Sequence, residues 1–445
     1  MRLAVATICP HVWHLGRWWS YEPFVLEMNI WGELFSELLM VAPVEDGPPP
    51  AAWSPYRASE GITVIPFKRN KGRGLVQART SLSEIPKMVH AIASAASRAD
   101  AFHVRCPGSI GMLASLLAPM LSKRRVAKYA GQWPAANQEE ISNVLQKRLL
   151  RSRWWGAPVL VYGKWPDQPT QIVPFFTSVM NESQMARART AELRDWTKRP
   201  LEVLFVGRLS EAKNVDVIIR AIEQLQGEAE AVRLRVVGDG PMRGALKSLA
   251  VSSKVGDRVI FQGAVQQAEV LDFYEQGAVL VLASQTEGWP KAIAEAMAFG
   301  LVCIGTNRGL VPQMLGEGRG LLVPPRDVKA LTDALRSVLS DPRGAQQISE
   351  RAAAWAQQFT LERFRDALRT ELESAWKVRL GKTTERQGEK QKVESRKQKA
   401  GRDYGPLTTD HGTTSKGKQK VESRKQKSDR KAAESVSICA HLWVS

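Results

Sequence analysis

Short apolar segments alternate with amphipathic segments along most of the chain. In the first half, the apolar runs that predict buried strands lie at residues 3–7, 38–43, 62–66, 101–105, 126–129, 159–162 and 171–173. In the second half they lie at 202–206, 234–237, 259–261, 279–282, 302–305 and 321–323. Segments such as 215–226 and 328–339 repeat apolar residues every three or four positions, which predicts helices. This alternation is typical of doubly wound α/β domains.

The length of 445 residues exceeds what one hydrophobic core usually holds, so we expect two domains. The pattern restarts near residues 198–200, which predicts a first domain over 1–199 and a second over 200–358. A last amphipathic helix, predicted at 361–377 with Thr360 as its N-cap, belongs to a segment of 359–380 that we expect to pack back on the first domain. Residues 381–445 are rich in Lys, Gln, Ser and Glu and contain the decapeptide KQKVESRKQK twice, which predicts a disordered tail.

The net charge of +18 is unevenly distributed. Residues 1–200 carry 25 Lys or Arg against 15 Asp or Glu, residues 201–380 carry 22 of each, and residues 381–445 carry 16 against 8. This distribution indicates an anionic partner: nucleic acid, an anionic membrane surface or a phosphorylated acceptor. The chain opens on a strand of the domain and has no apolar run of the roughly twenty residues needed to cross a bilayer, so we expect a cytoplasmic protein. Four widely spaced cysteines predict reduced thiols.

The segment LASQTEGWPKAIAEAMAFGLVCIGT, which begins at Leu282, contains the densest chemical signal. A strand ends near its start and a helix begins near Pro290, so Glu287 is predicted in the loop where open α/β sheets bind ligands. Glu295 follows on an apolar helix, where hydrogen bonds to ribose hydroxyls would satisfy it; a solvent-facing Glu is the alternative. Lys291 is a cation at the positive end of this helix, which an anionic ligand such as a diphosphate would stabilise.

A second pair of cations flanks the loop after the strand at 202–206. The loop reads GRLSEAK, so Arg208 and Lys213 stand on either side of it, before a helix with Asn214 as a possible cap. Two cations that converge on one point repel each other unless a multiply charged anion lies between them. Arg supplies planar bidentate donation and Lys a point charge, a combination that suits a leaving diphosphate, although each cation taken singly is commonly a surface residue.

These motifs together resemble a known family. GRLSEAK, the VVGDGP turn at 236–241, FQGAV at 261–265, the Glu287/Glu295 pair and GLLVPPRD at 320–327 occur in the order and spacing of the retaining GT4-type glycosyltransferases of the GT-B superfamily. The resemblance is strong over 200–345, loose over 1–199 and absent from the tail. It implies a GT-B fold, two Rossmann-like domains facing across a cleft, and transfer of a hexose-type sugar from a nucleotide diphosphate donor to a glycan or lipid-linked acceptor.

The resemblance also assigns roles to residues. Arg208 and Lys213 would hold the donor diphosphate and stabilise the charge that develops as the glycosidic bond breaks, with Glu287 as the third catalytic residue. Glu295 would bind ribose, and the segment containing Val265 would lie against the base. The backbone around Gly288, Trp289, Pro290 and Lys291 would hold the donor sugar. The VVGDGP turn lacks the G-x-G-x-x-G spacing, and we interpret it as a tight turn at the cleft edge.

The first domain departs from the family pattern. Where family members often carry a His-x-His-x-Pro-like run, this chain reads His103-Val104-Arg105-Cys106-Pro107, so Arg105 stands where the second His would be. Arg105 is therefore a candidate for contact with phosphate or acceptor, and His103 is more simply a packed strand residue. The paired glycines of the first loop are reduced to Gly16, which we include among the candidate donor-binding residues.

No Asp-x-Asp motif and no cluster with metal-ligand spacing occurs in the sequence, so we predict no metal site and no cofactor other than the nucleotide sugar substrate. Retention of anomeric configuration is implied by the resemblance alone. The alternatives of the same fold are a nucleotide-sugar-binding pseudo-enzyme and an epimerase.

Most of the 14 tryptophans lie in the first domain. Trp18, Trp19, Trp133, Trp154 and Trp155 stand near basic residues, which suggests an amphipathic patch for peripheral binding to the inner face of the cytoplasmic membrane. Core packing and stacking on sugars are the equal alternative. The basic tail suggests nucleic-acid binding, but it has almost no aromatic residues for stacking, so specific nucleic-acid binding is not expected.

Overall fold

The computed structural model of the chain describes residues 1–50, 52–57, 61–67, 75–134, 139–192, 194–225 and 231–381. The predicted disordered tail therefore lies outside the described residues, apart from Gly381. Of the four cysteines, Cys9, Cys106 and Cys303 lie inside them, and all three are free thiols. No helix in these ranges has both the length and the apolar composition needed to cross a bilayer.

The first half of the chain is built mainly on one parallel sheet. Its order is β10-β9-β8-β7-β1-β4-β6. A small antiparallel sheet of β2, β3 and β5 lies beside it. The strands are β1 (Arg2–Ala6), β2 (His11–His14), β3 (Arg17–Tyr21), β4 (Glu37–Pro43), β5 (Trp53–Pro55), β6 (Ile62–Phe67), β7 (Ala101–Cys106), β8 (Arg125–Tyr129), β9 (Val159–Tyr162) and β10 (Ile172–Phe175).

The second half forms another parallel sheet, with the order β13-β12-β11-β14-β15-β16. Several of its strands are buried on both faces, as in the VLVL run of β14, because helices cover the two sides of a parallel sheet. Its strands are β11 (Leu201–Val206), β12 (Val232–Val237), β13 (Val259–Gly263), β14 (Val279–Leu282), β15 (Val302–Thr306) and β16 (Leu321–Val323).

Helices connect these strands at nearly every step. In the first half they are α1 (Glu22–Leu34), α2 (Leu75–Arg98), α3 (Ser109–Leu121), α4 (Ile141–Arg151) and α5 (Glu182–Arg189). In the second half they are α6 (Val215–Gln224), α7 (Arg243–Ser252), α8 (Gln267–Gln276), α9 (Lys291–Ala298), α10 (Val311–Leu315), α11 (Val328–Ser340), α12 (Pro342–Ala356) and α13 (Leu361–Trp376). All the strands predicted from the apolar pattern are present, with ends shifted by one or two residues.

Both parallel sheets are doubly wound, and each reverses its strand order at one point. In the first domain the reversal lies between β1 and β7, and in the second it lies between β11 and β14. Open α/β sheets bind ligands outside the carboxyl ends of the strands at such a reversal. The loops after these four strands are therefore where the fold positions a site.

The last helix returns to the first domain. The Trp376 indole on α13 meets the ring of Phe35, with centroids 6.2 Å apart, and its Nε1 donates to the backbone oxygen of Arg125 at 3.3 Å. Phe364 packs edge-on against Phe175 at the end of β10. The start of the helix is capped, because the Thr360 side chain accepts a hydrogen bond from the Arg363 amide. Through the contacts of Trp376 and Phe364, α13 links the two domains.

The antiparallel sheet of β2, β3 and β5 was not predicted. The sequence CPHVWHLGRWW, which contains Gly16 and corresponds to the first loop in the sequence analysis, folds into a hairpin with Leu15 and Gly16 at its turn. Both turn residues have positive φ, at 49° and 72°. Two such residues are the signature of a tight two-residue hairpin, in which glycine at the second position is favourable. The Leu-Gly pair between aromatic runs is the signal that could have revealed it.

Candidate active site

The loop after β11 carries the first cluster of predicted site residues. The VVGDGP turn holds this loop through backbone hydrogen bonds. The Gly207 amide donates to the Val237 oxygen at 3.0 Å, and the Leu209 amide donates to the Asp239 oxygen at 2.9 Å. A Cβ on Gly238 would collide with the backbone oxygen of Gly207. The turn at the cleft edge thus supports the GRLSEAK loop through its backbone, a role that sequence reasoning did not assign.

Asn214 joins this loop to the one that follows β14. Its Nδ2 donates to the Ala283 oxygen at 2.9 Å, its Oδ1 accepts from the Gln285 side chain at 3.2 Å, and the Gln285 amide donates to the Ala212 oxygen at 2.9 Å. Asn214 occupies the N-cap position of α6, as predicted, but its side chain makes no cap hydrogen bond. Its buried amide instead fixes the two loops against each other.

Lys213 and Glu287 meet where these loops are joined. The Lys213 Nζ lies 2.5 Å from the Glu287 Oε1, and both side chains are largely shielded from solvent. Gly309 lies against the backbone of Glu287, since a Cβ there would collide with the Glu287 carbonyl oxygen. The exposed Arg208 lies on the same loop as Lys213. This part of the cleft thus has two cations and one carboxylate.

Glu295 lies buried on α9. The Tyr274 hydroxyl donates to its Oε2 at 3.0 Å, and burial raises the pKa of the Glu295 carboxyl to about 7. Tyr21, at the end of β3 in the first domain, faces it across the cleft. Burial raises the pKa of the Tyr21 hydroxyl, the negative charge of Glu295 raises it further, and Arg208 opposes the shift. Side chains from both domains therefore meet around Glu295.

Lys291 is the first residue of α9, directly after Pro290 at the N-cap position. Burial lowers the pKa of the Lys291 ammonium to about 8, with Glu27 of the first domain opposing the shift and Arg105 reinforcing it. Lys291 also lowers the pKa of Glu22, which burial raises. The pKa of the ammonium at the start of this helix therefore depends on charged groups of the first domain.

Beneath Lys291, the first domain holds a buried ionic cluster. Arg105 on β7 and Lys128 on β8 are register partners, so their side chains lie on the same face of the sheet. Glu27 from α1 lies between them, with its Oε1 2.8 Å from Arg105 Nη1 and 3.0 Å from Lys128 Nζ. Burial alone would raise the pKa of Glu27, but the two cations lower it to about 2. The cluster has one positive charge in excess, and Lys291 adds another.

The domains touch at two glycines. A Cβ on Gly288 would lie 3.0 Å from the Ala130 oxygen, so only glycine lets the loop after β14 approach the loop after β8. At Gly163, a Cβ would collide with the Leu310 side chain. Beside it, the Gln313 side chain accepts from the Lys164 amide at 3.0 Å and donates to the Lys164 oxygen at 2.9 Å.

A family model for glycosyl transferases group 1 matches residues 190–355, which include the loops of Arg208, Glu287 and Glu295. Residues 190–355 thus match the glycosyl transferases group 1 family, and we call the second domain, which contains most of them, the group 1 domain. WcaL of Escherichia coli, whose name assigns it to colanic acid biosynthesis, is 34% identical over 143 residues. That match covers 31% of this chain and 35% of WcaL, so the chain spans about a third of this relative in the comparison.

Solved structures resemble most of the chain. Sucrose-phosphate synthase of Thermosynechococcus elongatus matches with a TM-score of 0.60 and 18% identity, over 82% of this chain and 97% of that one. Anabaena HepE, solved with UDP and glucose, matches with a TM-score of 0.57 and 16% identity, over 84% and 99%. These likenesses concern the fold, and they confirm the prediction of a GT-B architecture: two Rossmann-like domains that face each other across a cleft.

The group 1 domain holds most of the predicted residues at its rim of the cleft. The loop after β11 carries Lys213. The segment after β14 carries Glu287 in its loop and Lys291 and Glu295 on α9. Val265, just after β13, is partly buried. Their assignment to diphosphate, ribose, sugar and base stays a prediction.

The side chain of Trp289 packs in an aromatic cluster between the two domains. Its indole is buried among the rings of Tyr162, Phe176, Trp355 and Phe359, at centroid distances between 5.1 and 6.4 Å. This aromatic cluster joins the group 1 domain to the first domain. Any contact of Trp289 with a donor sugar therefore falls to its backbone, as the sequence analysis expected for this segment.

Gly16 lies at the tip of the β2–β3 hairpin, and no atom lies within 4 Å of the position that a Cβ would occupy there. Its positive φ serves the turn. Its assignment to the donor site stays a prediction.

Two histidines of the first domain, His103 and His11, are packed in its core. His103 is fully buried and stacks on Trp31 with ring centroids 4.2 Å apart, and burial lowers the pKa of its imidazole to about 3. This confirms it as a packed strand residue. His11 is likewise buried, with Nε2 2.7 Å from the Tyr56 hydroxyl and with a pKa that burial lowers to about 4. Neither ring is placed to exchange a proton near neutral pH.

The Trp patch predicted for membrane binding does not exist as a single surface. Trp133 and Trp155 are buried in the first domain, with Trp133 edge-on to Tyr129. Trp18 and Trp19 are partly buried in the hairpin, and Trp154 alone of the five is exposed. The adjacent cations explain the error, because Arg151 stacks over the Trp133 ring and Arg125 over the Trp155 ring.

Sequence reasoning missed Glu27, Lys128 and Tyr274. A single Glu within the apolar helix α1 was the available signal for Glu27, since such a carboxylate needs a buried partner. Across the described ranges, no group of three or more His, Cys, Asp or Glu side chains is arranged to hold a metal ion.

Proposed function

We propose that this protein transfers a hexose-type sugar from a nucleotide diphosphate sugar to a glycan or lipid-linked acceptor, without a metal ion and with retention of anomeric configuration. The observation that carries the proposal is the Lys213–Glu287 pair. It is fixed by the Asn214 bridge at the strand-order reversal of the group 1 domain, on the same loop as Arg208. A pair held there faces the region where this fold binds nucleotide ligands.

The cations on this rim suit a leaving diphosphate. As the bond between the anomeric carbon and the phosphate oxygen breaks, negative charge grows on the diphosphate. Arg208 and Lys213 supply fixed positive charge at that point, and α9 adds the positive end of a helix together with Lys291. Preorganised charge of this kind performs the stabilisation that a divalent cation would otherwise supply.

The remaining residues hold the donor. Glu295 accepts hydrogen bonds from ribose hydroxyls, Glu287 and the backbone of Gly288–Lys291 hold the sugar, and Val265 lies against the base. In a retaining transfer, the acceptor hydroxyl attacks the anomeric carbon on the face that the diphosphate leaves. The departing phosphate oxygen then takes the hydroxyl proton, so no histidine base is required. This agrees with the buried positions of His11 and His103.

The relatives support this class of substrate. HepE was solved with UDP and glucose, and WcaL is named for colanic acid biosynthesis. From the first we take a nucleotide-linked sugar as the donor class, and from the second transfer of a sugar in the biosynthesis of a glycan.

The test uses the full-length protein with a panel of UDP-, GDP- and ADP-sugars in the presence of EDTA. We expect slow release of nucleotide diphosphate from one donor, lost in Arg208→Ala and Glu295→Ala and retained in Arg220→Ala, an exposed cation on α6. Activity that requires added metal would contradict the mechanism. Donor binding without release or transfer would identify a pseudo-enzyme, and interconversion of the free donor sugars would identify an epimerase. With an acceptor in hand, NMR of the new anomeric centre tests retention.

A further inference from the structure

The outer side of the first domain presents an apolar and basic surface on α3 and α4. Ile141, Val144, Leu145 and Arg148 follow one another at helical spacing on α4, and all four are exposed. Ile141 is 78% exposed, an unusual degree for an isoleucine at the start of a helix.

Helix α3 continues this surface, because the two helices run side by side. The two helices are in contact: a Cβ on Gly111, in the first turn of α3, would lie 3.3 Å from the Gln146 side chain in the middle of α4. The docking face, as we name it, consists of the exposed apolar residues Leu116, Met120, Ile141, Val144, Leu145 and Trp154 with the exposed cations Lys123, Arg124, Arg148 and Arg153.

The charge of these segments has one sign. Residues 109–125 and 141–156 contain seven Lys or Arg and no Asp or Glu. Some of these cations are held inward: Lys147 pairs with Glu139, and Arg151 donates to the Gln168 side chain at 3.0 Å. The four cations of the docking face are exposed and flank its apolar residues. The exposed Glu140 precedes Ile141 at the N-cap position of α4, but the docking face itself carries only cations beside its apolar residues. Such a surface complements an anionic surface that also has an apolar layer.

We infer that the docking face binds the surface of an anionic lipid bilayer. The apolar side chains enter the boundary between headgroups and acyl chains, and the four cations contact anionic headgroups. A second protein chain with an acidic border would match the charges too. The apolar side chains, however, are spread over two helices and do not line a groove, which suits a lipid surface better than a protein partner. This surface replaces the tryptophan patch considered from the sequence.

The position of the docking face connects it with the cleft, and this step rests on the proposed function. Helix α4 begins just after the loop that leaves the carboxyl end of β8, and that loop meets Gly288 of the group 1 domain at Ala130 and Gly131. The Ile141 end of the face therefore lies at the cleft side of the first domain. A lipid-linked acceptor held in the bilayer would present its headgroup beside the donor site.

The test is flotation of the full-length protein with vesicles of phosphatidylglycerol and phosphatidylcholine, compared with phosphatidylcholine alone, at low and high salt. We expect binding to the anionic vesicles that weakens with salt. Ile141→Ser/Leu145→Ser and Arg148→Glu/Arg153→Glu should each bind roughly 10-fold or more weakly. The matched controls are Val251→Ser, an exposed apolar residue on α7, and Arg220→Glu/Arg343→Glu in the second domain. These controls should bind as the parent does.

Equal vesicle binding by the face variants and the controls would overturn the inference, because the basic tail is the same in all of them. A parent protein that is dimeric, with face variants that become monomeric and still bind vesicles, would assign the face to a second copy of the chain instead. Donor release measured without lipid separates the two proposals. Face variants that keep this release but lose vesicle binding support the docking face, whereas absence of release from every variant concerns the proposed function alone.

Discussion

The ammonium of Lys213 lies 2.5 Å from the Glu287 carboxylate, although 74 residues separate them in the chain. The two residues belong to the loops after β11 and β14, which are adjacent strands at the reversal of the second sheet. The Asn214 bridge holds these loops together independently of the ion pair. The pair is therefore a preorganised feature of the group 1 domain, with one member suited to a diphosphate and the other to a sugar hydroxyl.

Lys213→Ala should lower kcat by roughly 100- to 1,000-fold, because it removes fixed positive charge at the leaving diphosphate. Glu287→Gln should also lower kcat, and the double variant should be little worse than Lys213→Ala, since the two side chains act as one unit. The measurement is steady-state release of nucleotide diphosphate. Arg220→Ala serves as the control cation. Losses that add in the double variant would show that the pair does not act as a unit.

Glu27→Gln should destabilise the protein by about 3–5 kcal/mol, because it leaves Arg105 and Lys128 as buried cations without a carboxylate. Denaturant unfolding measures the effect. Glu33→Gln, on the same helix, is the control: Glu33 is 3.4 Å from Arg365 at the surface, so its loss should cost less than about 1 kcal/mol.

Replacing Lys128 by Met together with Glu27→Gln should recover part of the stability, because the double variant removes one of the two uncompensated cations. Equal stabilities for Glu27→Gln and Glu33→Gln would mean that water reaches the cluster and satisfies its charges. In that case the cluster would not be the fixed source of positive charge beneath Lys291.

The sequence revealed the parts of this site that follow from periodicity and chain order. Apolar runs located the strands, and strand ends located Arg208, Glu287 and Glu295, because loops at the carboxyl ends of parallel strands share one edge of a sheet. The motif order then indicated the family. Each of these inferences depends on residues close together in the chain.

The parts that the sequence did not reveal depend on distant residues that meet in three dimensions. Glu27 is 78 residues from Arg105, and only the register of β7 with β8 shows that Arg105 and Lys128 need a shared carboxylate. Nor did the sequence indicate that the Trp289 side chain packs against Tyr162 and Phe176 of the first domain. Burial by another domain leaves no local pattern in the sequence.

Donor affinity should rise with pH through about 7. The Glu295 carboxyl has its pKa raised to about 7, and its ionised form accepts hydrogen bonds from ribose more strongly than the neutral form. Affinity should fall again through about pH 8, where the buried Lys291 loses its proton. The measurement is calorimetric titration of donor binding between about pH 6 and pH 9, a range that brackets the pKa values of Glu295 and Lys291.

Two variants assign the limbs of that profile. Glu295→Gln removes the titrating carboxyl and should flatten the acidic limb while weakening binding overall. Lys291→Met should flatten the alkaline limb. An acidic limb that persists in Glu295→Gln would mean that another group, such as Glu22 at the opposite wall, controls donor binding.

Gly288→Ala should lower kcat by 10- to 100-fold with little change in Tm. The added methyl group would lie 3.0 Å from the Ala130 oxygen and the Gly131 carbonyl carbon, both backbone atoms that cannot rotate away. Relief therefore requires the loop after β14 to retreat from the first domain by a few tenths of an ångström. A shift of that size misplaces Glu287 and the backbone that holds the sugar, and transfer rates are sensitive to such displacements.

The control for this variant is Gly244→Ala, because a Cβ at Gly244 meets nothing within 4 Å. Gly244 lies in the first turn of α7, where alanine should raise the free energy of unfolding by up to about 1 kcal/mol and leave kcat unchanged. Comparing the two substitutions isolates the domain contact from the general effect of replacing glycine. Parent-like kcat in Gly288→Ala would show that transfer does not depend on the close approach of Gly288 to residues 130–131.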